Sequence, residues 1–190
     1  MTGESHAAPD ADPGRPWWAP LLGVGSVGLG GLQALGGLAL CGIALSGPAG
    51  SRGVFLLLGL AWFVPGALLG ASGVLVTARS PRARIACVAA VLAWALGVGL
   101  VGACRGSIPP AVADTGEWAL GHPEAPPAAK RFLDEVLKGR TAIQIEALRD
   151  PSMRSDFGWL YTGYCCCPVL PWYLTLLLAC AGPWARRLSR

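Results

Sequence analysis

The sequence predicts an all-α polytopic membrane protein. The expected architecture is a four-transmembrane-helix bundle with a partly helical extracytoplasmic segment between the third and fourth helices. Three observations predict it. Only 14% of the 190 residues are charged and 53% are hydrophobic, whereas a soluble domain carries about 25% charged residues. The charge is missing in blocks: residues 16–51, 53–78, 85–104 and 157–185 contain no Asp, Glu, Lys or Arg. A helix crosses the hydrocarbon core with about 20 apolar residues, and each block is long enough. The blocks are also continuously apolar and do not alternate, which excludes a transmembrane β-barrel.

The elements follow in order. Residues 1–16 are polar, acidic and proline-rich and read as a disordered cytoplasmic tail. They lack the basic start and short apolar core of a cleaved secretion signal. The first helix covers about 20–45 and is entered through Trp17 and Trp18, which suit the headgroup level. A tight turn at 46–53, SGPAGSRG, leads to a second helix at about 54–77. Pro65, near its middle, lacks an N–H and predicts a kink. A short basic turn, ARSPRAR, leads to a third helix at about 85–104.

Residues 105–164 are polar. Within them PPAAKRFLDEVLKG predicts a short helix at about 127–138, with prolines at its start and Gly139 as its stop. TAIQIEALRDP predicts another at about 141–149, with Thr141 and Gln144 at capping-box spacing. The fourth transmembrane helix is expected at 165–185, flanked by Trp159, Tyr161, Tyr164 and Trp184 as aromatic belts, with Trp172 and Tyr173 near its outer end as anchors. A basic cytoplasmic tail, 186–190, closes the chain.

Basic residues set the orientation. Arg79, Arg82, Arg84, Arg186 and Arg187 lie on one side as topology anchors, with Arg15 and Arg190. The short first turn holds only Arg52, and Arg105 is the one dissenter. Short basic segments stay inside and long segments count little, so both termini are expected in the cytoplasm. Thirteen Arg against two Lys suggests GC-rich codons and a bacterial cytoplasmic membrane. The net charge of +4 comes from arginines beside the apolar runs, so no nucleic-acid partner is expected.

Glycine is dense in the first two helices. Gly23, Gly30 and Gly37 recur every seven residues, as do Gly59, Gly66 and Gly73, and Gly66 forms a GxxxG with Gly70. Such stripes let helix backbones approach, and packing contacts replace the hydrophobic drive that lipid removes. They predict close packing within the first hairpin, with homo-oligomerisation through the same stripe as the alternative. Gln33 lies on that stripe and is the one strongly polar side chain deep in a span. A hydrogen bond to a neighbouring helix explains it, worth about 0.6 kcal/mol.

No acid, base or histidine falls inside the four spans. Pumps and coupled carriers use such groups despite an insertion cost of roughly 3 kcal/mol each, so these classes are disfavoured. His6 and His122 lie in polar segments without a Cys or carboxylate at ligand spacing. No metal or cofactor is expected, and His122 should be solvated. Asp134, Glu135, Glu146, Asp150 and Asp156 alternate with bases, as on a solvated face.

Cys165, Cys166 and Cys167 are consecutive, so neither a helix nor an extended strand aims all three at one ion. They are not C-x-x-C, the spacing that lowers a thiol pKa. Cys104 ends the third helix on the same side. A disulfide from Cys104 to one of the three is the simplest reading in an oxidising compartment. It would stabilise by about 4 kcal/mol, on the chain-entropy model, by closing the loop. Cys41, Cys87 and Cys180 fall inside spans as small packing residues.

The functional expectation is a non-enzymatic accessory or scaffold protein of the lipid bilayer. Its outer segment would contact another membrane or extracytoplasmic protein. One alternative is a membrane thiol–disulfide oxidoreductase using Cys104 and the cysteine triplet with a quinone. The other is an oligomeric passive pore or lipid-handling protein built around the Gln33 stripe.

Overall fold

A computed structural model describes residues 17–123, 146–152, 156, 163 and 169–181. Among them every regular element is helical: α1 (Ala19–Ser46), α2 (Arg52–Thr77), α3 (Ala83–Ala103), a 3-10 turn (Arg105–Ser107), α4 (Ile108–Gly121) and α5 (Leu170–Ala181). Helices α1, α2 and α3 are long and apolar enough to cross a membrane. Their 28, 26 and 21 residues give about 42, 39 and 32 Å at 1.5 Å per residue. The hydrocarbon core is about 30 Å thick. The first three predicted spans each end within two residues of the observed helix.

Local chemistry sets the ends. Pro20 sits in the first turn of α1, where its missing N–H costs nothing. Gly47 closes that helix with an N–H to the Ile43 carbonyl at 2.7 Å, and Pro48 prevents continuation. In the turn that follows, Ser51 Oγ donates to the Pro48 carbonyl at 3.1 Å.

Helix α2 ends in a Schellman motif. The Ser80 N–H reaches the Leu75 carbonyl at 2.9 Å and the Arg79 N–H reaches Val76 at 3.3 Å. Arg79 therefore occupies the left-handed position, with φ of 56°.

Helices α1 and α2 pack antiparallel along a glycine seam. A Cβ on Gly30 would strike the Gly70 backbone, one on Gly37 would lie 2.5 Å from the Phe63 nitrogen, and one on Gly73 would lie 2.5 Å from the Gly23 carbonyl oxygen. Helix α3 packs on α2, with Gly97 against the Ala61 carbonyl. The outward faces stay apolar: Leu32 is 71% exposed, Ile85 72% and Leu92 64%. A helix that is apolar all round is suited to lipid.

Two apolar cores hold the ends. At the Ser51 end, Ala44, Phe55, Leu58 and Val101 bury Ile108 and Ala111 of α4. At the Arg79 end, Leu22, Leu69, Val76, Ala83 and Cys87 bury Val169 and, along one edge of α5, Tyr173, Leu176 and Ala179.

Helix α4 lies in the polar segment 105–164, ahead of the two short helices that the sequence predicts there. Ile108, Pro109 and Pro110 form its first turn, where the N–H groups have no intrahelical partner, so two prolines are tolerated. The predicted helix at 127–138 lies outside the described residues. Of the one predicted at 141–149, residues 146–149 are described, and they are helical. The tails 1–16 and 186–190 also lie outside.

The described part of the predicted fourth span is α5, 12 residues, or about 18 Å. Its first turn sits at mid-depth, because Tyr173 meets the middle of α1 at Gln33 and the middle of α3 at Trp94. Proline chemistry fits this late start. Pro168 disfavours helix at the residue before it, and Pro171 suits a first turn. The outer part of the predicted span, 165–168, and its far end, 182–185, lie outside the described residues.

Candidate functional site

The most distinctive site is a polar and aromatic cluster at mid-depth, where α1, α3 and α5 meet. Tyr173 is 1% exposed and Gln33 is 5% exposed. The Tyr173 hydroxyl donates to Gln33 Oε1 at 3.0 Å. Its ring stacks on Trp94, with centroids 4.9 Å apart and planes 15° from parallel. About two turns towards the Arg79 end of α1, Trp172 Nε1 donates to Ser26 Oγ at 3.0 Å. The Trp172 ring lies against Gly25, where a Cβ would collide with it. A buried phenol and a half-buried indole each find a polar partner, and α1 supplies both.

Trp172 and Tyr173 are thus not anchors at the outer headgroup level, as the sequence reading had them. Tyr173 lies inside and Trp172 is half-buried, because α5 begins at mid-depth. Ser26 and Trp94 had not been singled out at all. Chemically, the cluster joins three helices through two neutral hydrogen bonds and one stack. It holds no charged group.

The structure brings Gln33 together with most of the glycine stripe. Gly23, Gly30 and Gly37 face Gly73, Gly66 and Gly59 across the α1–α2 seam. Gly70 contributes its backbone to the contact with Gly30, while a Cβ on Gly70 itself would meet nothing within 4 Å. Cys41 belongs to the same seam, against Gly59.

At the Ser51 end, α4 is fixed by side chains as well as by its core face. Thr115 Oγ1 donates to Ser51 Oγ at 3.1 Å. Arg149, from the described turn at 146–149, spans Asp114 at 2.9 Å and Glu117 at 2.7 Å. Hydrogen bonds to Asp114, then to Glu117, push the Arg149 guanidinium above its ordinary range. A raised cationic pKa contributes fully below the ordinary value and fades only as pH rises beyond it, so Arg149 stays charged at any working pH.

His122 is not solvated as expected. It caps α4 half-buried against Trp118, with ring centroids 5.3 Å apart. Its Nδ1 is buried without a hydrogen-bond partner. Glu146, Asp150 and Asp156 are exposed, in line with a solvated face.

Arg79, Arg82 and Arg84 are exposed together at the α2–α3 turn, whereas Arg186 and Arg187 lie outside the described residues. Arg105 sits at the opposite end and donates to the Gly102 carbonyl at 3.0 Å. Cys104 is a half-buried free thiol at the Ser51 end. Cys165, Cys166 and Cys167 lie outside the described residues, and with Cys104 free the structure gives the expected bridge no support.

Comparison with protein-family models, with curated proteins and with solved structures found no match.

Proposed function

We propose that the chain is a non-enzymatic integral membrane protein of four transmembrane helices, with α5 as the core of the fourth. Its Ser51 end serves as an outward platform for another membrane or extracytoplasmic protein. Both termini lie on the cytoplasmic side in this reading, and the source is a bacterial cytoplasmic membrane. One observation carries the proposal. A helix, α4, is docked by its apolar face onto the end of the α1–α2 hairpin while Glu117 and Leu120 remain exposed. A segment that only linked two spans would need no such docking.

Orientation rests on exposed Arg79, Arg82 and Arg84 at the opposite end. The oligomeric-pore alternative is disfavoured because Gln33 turns into the chain's own bundle and meets Tyr173.

A photocrosslinking residue at Leu120 tests the platform in living cells. The expected result is one protein adduct of constant mass, absent when the probe stands at Leu92 on the lipid face. Adducts with lipid alone at both positions would overturn the reading. For orientation, an epitope tag on either terminus should be shielded from antibody until the cells are opened.

A further inference from the structure

We propose that a single water molecule is bound inside the bundle, bridging the Gln33 amide to the Ala61 carbonyl, one turn before Pro65. Pro65 has no N–H, so the carbonyl of Ala61, four residues earlier, lacks its helical donor. That oxygen is turned towards α3, since a Cβ on Gly97 would stand 2.7 Å from it. Glycine at 97 is what lets α3 approach without covering the oxygen with a methyl group.

Gln33 supplies the complementary group. Its Oε1 accepts from Tyr173, which leaves the two N–H groups of Nε2 as donors in a side chain that is 5% exposed. Gln33, Ala61 and Gly97 line one cavity, together with Trp62, Trp94 and Val98. Its volume is about 20 Å³, and one water needs roughly 10–15 Å³ with two or more polar partners. The space admits one water and not a chain of them. In lipid, backbone groups freed by proline are satisfied by neighbouring side chains or ordered water. Here the residues lining the cavity offer an amide donor and a carbonyl acceptor, and water bridges such a pair by accepting from one and donating to the other.

The test is water-edited solid-state NMR on the full chain in lipid bilayers, with ¹⁵N in the glutamine side chains. The chain has two glutamines, Gln33 and Gln144, and a Gln144→Glu variant leaves Gln33 as the single signal. Polarisation should build up from water to the Gln33 amide at least several-fold faster than to the backbone amides of α1. Pro65→Ala restores an N–H for Ala61 and should cut the transfer by more than half. Gly97→Ala places a methyl group at the oxygen and should abolish it. Build-up at Gln33 no faster than in the surrounding backbone would overturn the proposal. So would transfer that survives Pro65→Ala unchanged, and that variant decides the matter should Gly97→Ala fail to fold.

Discussion

Arg79 is strained by its position. A non-glycine residue in the left-handed region costs roughly 1–2 kcal/mol, and Arg79 is the described non-glycine residue with positive φ. Arg79→Gly should therefore raise stability by about 1 kcal/mol in unfolding from mixed micelles, although it removes a topology anchor. Tyr173→Phe makes the opposite kind of change. It keeps the stack on Trp94 and deletes the hydrogen bond to Gln33, so the loss should be about 0.6 kcal/mol and no more than about 1.7. Trp94→Leu removes the stack and should cost a further ~1 kcal/mol. A double-mutant cycle of Trp94 with Tyr173 measures the coupling directly.

At the scale of elements, the glycines divide by face. Gly30→Val forces a side chain into the Gly70 backbone and should cost about 1–3 kcal/mol or more. Gly31→Ala, at a position open to lipid, should be neutral or slightly stabilising, since Gly is the poorer helix former. Equal losses at both sites would argue that the second face is also covered.

The contrast shows what was readable beforehand. The heptad spacing of Gly23, Gly30 and Gly37 marked the seam because close backbone approach needs small residues at a fixed period. The three long helices were readable because lipid demands long charge-free runs. Helix α4 was missed because Asp114, Thr115 and Glu117 dilute its apolar face and Pro109–Pro110 resembles a breaker. Two prolines in a first turn, followed by Val112, Trp118 and Gly121 as stop, were the available signal. The burial of Tyr173 was not readable, because an apolar run reports that a segment is in lipid and says nothing about the depth at which its helix begins.

At the scale of the molecule, the two ends differ in kind. The Arg79 end is a basic turn, and the Ser51 end carries the docked α4 and the Cys104 thiol. If the expected bridge forms, an impermeant maleimide should label Cys104 in intact cells only after reduction, and Cys104→Ser should leave an extra reactive thiol in the triplet. Labelling without reductant would remove the bridge and leave the platform standing. The union of α1 with α5 also carries a consequence for biosynthesis. Gln33 and Tyr173 are 140 residues apart, so at 5–20 residues per second the ribosome delivers the phenol roughly 7–28 s after the amide. Throughout that interval a nascent hairpin holds a glutamine in the bilayer without its tyrosine. A quality-control protease that recognises exposed intramembrane polarity would thus read Gln33 as the mark of an unfinished chain, and the arrival of the last helix would erase it.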